Sequence, residues 1–84
     1  MTKNYFYVTA TGELIRAARQ SKNLSQSEVS SLLNLKIGRK LTRGFISHVE
    51  QGKRKIKSED ALALCQLLGV KLEDAFHADL KEGI

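Results

Sequence analysis

Four residues that tolerate a left-handed backbone, Asn23, Gly38, Gly52 and Gly69, cut this chain into short pieces, and its 84 residues include no proline. Four of the pieces open on a hydroxyl: Thr11, Ser25, Thr42 and Ser58 each precede a run with apolar residues at helical spacing. A hydroxyl oxygen accepts from the free N–H groups of a helix's first turn, and Gly or Asn ends a helix by turning left-handed. Such a chain builds several short helices that must bury their apolar stripes against one another.

The first predicted helix carries Leu14, Ile15, Ala17 and Ala18 and ends near Lys22-Asn23. The second opens with Ser25 and with Glu28 three residues on, a capping box. Leu24 stands ready to staple onto Val29, and Leu32 and Leu33 continue the buried side. A break is expected around "NLKIGRKL", with Gly38 as the turn residue. Thr42 caps a third helix with Phe45, Ile46 and Val49 inward; Gly52 ends it. "KRKIK" reads as a basic loop. Ser58 caps a fourth helix whose core stripe is Ala61, Leu62, Leu64, Cys65 and Leu68, with Glu59 and Asp60 favourable at its positive end. "VKLEDAFHADL" suggests a short fifth helix with Leu72, Ala75 and Phe76 inward. Ahead of them all, "YFYV" (Tyr5 to Val8) is aromatic and β-branched and favours a strand. The expected fold is all-α: one domain over residues 1–84, with an extended arm at 1–10, five helices within 12–76 and a C-terminal tail at 77–84.

The net charge of +5 is unevenly spread. Residues 36–57 hold eight cations, Lys36, Arg39, Lys40, Arg43, Lys53, Arg54, Lys55 and Lys57, against Glu50 alone. Residues 58–84 hold two basic and six acidic side chains. A surface so polarised is expected to bind a polyanion, with nucleic acid ahead of membrane; a solvated charged face is the plainer reading. No apolar run approaches the roughly 18 residues that span a bilayer, and the N-terminus lacks the apolar core of a signal peptide. The single cysteine, Cys65, leaves no internal disulfide and suits the cytoplasm. With one Cys and two His no metal or other cofactor is expected, and no nucleophile–base set or phosphate loop suggests an enzyme.

Three blocks in order, "GELIRAARQSKNLSQSEVS", "ISHVEQGKR" and "ALALCQLLGVKLEDAF", resemble the helix-turn-helix domain of the Cro/repressor family. The likeness runs from about Gly12 to Phe76. It implies that Thr42 to Gln51 form the recognition helix and that Arg43, Gly44, Ser47 and His48 face base edges in the major groove. Arg43 is then the leading base reader, since a guanidinium forks onto guanine O6 and N7. Gln26, Thr42, Lys53, Arg54 and Lys55 would hold phosphates. The resemblance pairs Glu50 with Arg19 as a structural ion pair between the first and third helices.

The chain departs from the family pattern at "KIGRKL", about six extra residues where a tight turn is usual. One reading makes Lys36, Arg39 and Lys40 further phosphate contacts; the other makes the piece a surface insertion, with Ile37 and Leu41 tucked under the core. Ile56 stands where many relatives carry proline. Gly44 sits near the front of the recognition helix, where close backbone approach to DNA would justify it.

The function that follows is a sequence-specific double-stranded-DNA-binding regulator, expected to be a homodimeric repressor on a partly palindromic operator. "YFYV" could pair with its symmetry mate or pack over its own helices, and Phe76 to Ile84 is the other candidate dimer surface. No second domain is read, so control is expected through the protein's own concentration or a partner protein. The rival reading is an antitoxin-type protein whose main role is to bind such a partner, with autoregulation on DNA secondary.

Overall fold

The computed structural model describes residues 7–78. In chain order the elements are β1 (Tyr7–Ala10), α1 (Gly12–Ser21), α2 (Gln26–Ile37), α3 (Arg43–Glu50), β2 (Lys55–Lys57), α4 (Ser58–Leu68), α5 (Leu72–Ala75) and β3 (Phe76–Ala78). Five helices are present and the fold is mostly helical, so all-α describes it only approximately. Three short strands form an antiparallel sheet in the order β2-β1-β3.

Alternation explains the sheet. Tyr7 faces solvent, whereas Val8 and Ala10 point into the core. Val8 lies opposite Ile56 on one side and Ala78 on the other, and Ala10 lies opposite Phe76. Of "YFYV", Tyr7 and Val8 lie in this strand, which runs on to Ala10; Tyr5 and Phe6 lie outside the described residues. Both edges of β1 are filled from within the chain, so residues 7–10 pack over their own helices rather than pairing with a second copy. "KRKIK" is a strand in its last three residues, because Ile56 is buried and draws Lys55 and Lys57 into register. Phe76 points inward but from β3, not from a helix. Residues 79–84, the end of the other candidate dimer surface, lie outside the described residues.

Local signals set most helix boundaries. Ser25 and Glu28 form the reciprocal capping box, and Asn23 ends the α1 turn with φ of 58°. Thr42 Oγ1 accepts from the Phe45 N–H at 3.1 Å. Ser58 is the first residue of α4 rather than its cap, a shift of one position. The second helix runs further than expected: Leu35, Lys36 and Ile37 add a turn before Gly38 turns left-handed at φ 69°. Half of the "KIGRKL" insertion is therefore helix and loop start, and the connection proper is 38–42.

The core joins Ile15, Val29, Leu33, Ile46, Val49, Leu64, Cys65 and Leu68 to the inward sheet residues. Burial pushes the Cys65 thiol pKa up, with a smaller push from Glu73, to about 11, so it is an inert neutral thiol. Several expected core positions are exposed instead: Leu14 and Ala17 on α1, Leu32 on α2 and Leu62 on α4. For each leucine a neighbour on the stripe, Ile15, Leu33 or Ala63, takes the inward place.

Candidate nucleic-acid interface

The α3 helix is two-sided. Ile46 and Val49 are fully buried and fasten it to the core, while Arg43, Gly44 and His48 are exposed and Ser47 is half-buried. Spacing does most of this, since 46, 49 and 50 share one face and 44, 47 and 48 lie away from it; Arg43 falls in line with Glu50, and is exposed at the opening turn of the helix. Gln51 Nε2 donates to Ser47 Oγ at 3.0 Å, an i to i+4 brace on the outward side.

The first turn of α3 is unlike those of the other helices. Glu13, Glu28, Glu59 with Asp60, and Glu73 with Asp74 place acids at the starts of α1, α2, α4 and α5. The start of α3 holds no acid and begins with Arg43. A cation at the positive end of a helix costs stability, and an external anion there would offset it. Beside it lies an open cleft of about 360 Å³ bounded by Lys40, Thr42, Gly44, Phe45, His48 and Arg54. The Arg54 guanidinium sits 5.0 Å from the Phe45 ring centroid, which holds this long side chain against the cleft by cation–π attraction. Lys53 and Lys55 are exposed on either side of it.

Glu50 lies beneath this surface with its side chain fully buried. Arg19 donates to it twice, Nε to Oε2 at 2.6 Å and Nη2 to Oε1 at 3.1 Å. Gln26 Nε2 adds a third bond at 3.1 Å, and Arg16 Nε stands 3.5 Å from Oε1. Burial pushes the Glu50 carboxyl up in pKa; the hydrogen bonds of Arg19 and Gln26, with the arginine charge, more than reverse this and hold it below its usual range. Arg19 is raised by its hydrogen bond to Glu50. Its Nη1 also donates to the Leu24 carbonyl at 2.9 Å, so one guanidinium ties α1, the following turn and α3 together. Gly12 completes the joint: its Cα faces the Glu50 carbonyl with no room for a side chain.

The remaining positions divide. Gln26 spends one amide hydrogen on Glu50, and the Thr42 oxygen caps its own helix. Lys36 and Lys40 are exposed. Arg39 is exposed as well, but it is tied to the fold: its Nη1 donates to Asp60 Oδ2 at 2.9 Å, and Asp60 is buried. Of the three cations in the insertion, Arg39 thus has a structural partner, and Ile37 and Leu41 pack against the core. Sequence reasoning missed this pair, although Asp60 gave a signal, lying four residues before Leu64 on the buried side of α4. It also missed Asn34, whose amide bonds the backbone of Leu41 in both directions.

A helix-turn-helix family model matches residues 15–74. No curated protein and no solved structure matches the chain. No helix among the described residues is long and apolar enough to cross a membrane. With two helices meeting at a capped, cationic third, and with most of the chain covered by the match, the protein belongs to the Cro/repressor-type helix-turn-helix family of DNA-binding transcription regulators.

Proposed function

We propose that the protein is a sequence-specific repressor that binds a partly palindromic operator as a homodimer and excludes polymerase from the promoter. The observation that carries this reading is the start of α3, a solvent-facing helix end with Arg43 in place of an acid. Arg43, Ser47 and His48 then address base edges, and Gly44 lets the backbone come close. Lys53, Arg54 and Lys55 follow the helix and fix its register on phosphates, and Lys36 and Lys40, ahead of it in the chain, add further phosphate contacts. Thr42, through its hydroxyl hydrogen, and Gln26, through its second amide hydrogen and the N–H groups at the start of α2, hold phosphates on the other flank. Dimerisation follows from reach: one small module reads few base pairs, and two symmetric half-sites raise both affinity and specificity.

The test is selection from random duplex DNA at about 150 mM salt, followed by sequencing of the bound pool. A two-fold symmetric motif with half-site centres about ten base pairs apart, or a multiple of that, is expected. A pool without a motif, retained only at low salt, would sink the reading and leave a generic polyanion surface.

Two substitutions separate reading from gripping. Arg43→Ala is expected to cost about 1–3 kcal/mol on the selected site and relax preference at one base pair. Lys53→Ala is expected to weaken binding to every sequence alike and lower the salt slope by about one. Uniform weakening by both, measured by titration against operator and scrambled duplexes, would remove Arg43 as a base reader.

A further inference from the structure

The front of α3 is its least anchored part. Its buried side chains, Ile46, Val49 and Glu50, begin only at the fourth residue of the helix, whereas Arg43 and Gly44 are exposed and Phe45 is half-buried. Gly44 has no side chain with which to grip anything. The preceding connection, 38–42, is longer than the three- to four-residue turn that normally fixes the angle between two such helices. An unbraced connection of that length would let the front of α3 rock about its rear.

Two braces prevent this. Asn34, in the last turn of α2, uses both ends of its carboxamide on one residue: Nδ2 donates to the Leu41 carbonyl at 2.8 Å, and Oδ1 accepts from the Leu41 N–H at 2.7 Å. The amide thereby mimics a neighbouring strand and locks the Leu41 peptide groups in place. Between these anchor points Arg39 reaches Asp60 on α4, holding the middle of the connection down. Leu41 directly precedes Thr42, whose hydroxyl caps α3 through the Phe45 N–H. Position passes along a short chain of contacts, from Asn34 to Leu41, to Thr42, to the first turn of α3.

We propose that Asn34 is a positioning residue for DNA reading: its paired hydrogen bonds with Leu41 set the direction in which the front of α3 enters the groove. The inference rests on the reading of α3 as the sequence-reading helix. Asn34 touches no base in this scheme. It acts by removing motion before binding, so that ordering the helix does not have to be drawn from contacts with DNA.

The experiment compares the intact chain with Asn34→Ala, and with Leu67→Ala as a destabilised control whose change lies on α4, where Leu67 is partly buried against the core. Alanine favours a helix, so α2 is preserved. Each protein is titrated, well below its melting midpoint, against the selected operator and a scrambled duplex. Asn34→Ala is expected to lose about tenfold on the operator, the scale of two modest hydrogen bonds, while keeping its low-salt binding to scrambled DNA. Leu67→Ala is expected to keep the original ratio of the two affinities. Amide exchange on the free proteins should show the Leu41, Phe45 and Ile46 N–H groups exchanging faster in Asn34→Ala, with Val49 protected as before. An unchanged ratio in Asn34→Ala, or an equal loss of ratio in Leu67→Ala, would overturn the inference while leaving sequence reading intact. If the unsubstituted protein binds both duplexes equally, sequence reading itself fails, and this inference falls with it.

Discussion

Replacing Gly12 by Ala is expected to destabilise the domain by about 3 kcal/mol, a large share of a small domain's margin. Helix propensity argues the other way. Gly12 is the first residue of α1, its backbone is not left-handed, and Ala is worth up to about 1 kcal/mol over Gly within a helix. Packing decides the sign, because an added Cβ would land on the carbonyl oxygen and carbon of Glu50. Those are backbone atoms at the end of α3 and cannot rotate aside. The two helices would have to part, opening the contact that lets Arg19 reach Glu50. The same substitution at Gly44 provides the contrast, since its Cβ would meet only Thr42 Oγ1 at an ordinary 3.6 Å. Gly44→Ala is expected to hold or slightly raise stability and to weaken DNA binding if the backbone there approaches the duplex. Urea unfolding of both variants is the check. A Gly12→Ala protein as stable as its parent would show that the α1–α3 joint is looser than described.

Features that depend on a few neighbouring residues were legible in the sequence. The Ser25–Glu28 box, the Thr42 cap and the stops at Asn23 and Gly38 all act within a helical turn, and the structure places them there. Choices that depend on distant packing were not. Leucines at 32, 33 and 35 cover more than one side of α2, and only the crossing of α3 and α4 settles that Leu33 goes in while Leu35 stays 84% exposed. The sheet was half visible: Tyr7-Val8 announces a strand, but its partners lie in a basic run and after the last helix, where Ile56 and Phe76 are the only cues.

The interface shows the same division. The cationic character of residues 36–57 is plain from composition, yet which cations are tied to an acid within the fold is not. Arg39 and Asp60 are 21 residues apart, and their pairing becomes visible only when α4 is laid beside the connection. The extra turn on α2 likewise arises because Ile37 finds partial burial, which a reading centred on Gly38 could not weigh. The Arg19–Glu50 partnership came from resemblance, and the structure adds Gln26 and Arg16 to it.

That cluster yields the other large effect: Arg19→Met is expected to cost on the order of 3 kcal/mol at neutral pH, because it strands a carboxylate that has no exposure to water. The loss should depend on pH in a way that identifies its cause. In the parent, Glu50 titrates below its ordinary range, so its contribution is complete above the unfolded value of roughly 4.3 and disappears as pH falls through the lower folded value. Without Arg19, burial outweighs the single hydrogen bond from Gln26 and the more distant Arg16, and the Glu50 carboxyl titrates above its ordinary range. The folded variant then binds a proton more readily than its unfolded chain, and acidification stabilises it relative to neutral pH. The stability gap between parent and variant should therefore narrow as pH is lowered toward the unfolded value. The double variant Arg19→Met/Glu50→Leu, which removes both charges, should recover most of the loss, since an apolar pair of similar volume needs no partner. Urea unfolding at neutral and mildly acidic pH measures all three proteins. A gap that stays constant with pH, or a double variant no more stable than Arg19→Met, would assign the cost to lost packing of the arginine stem and not to the buried charge.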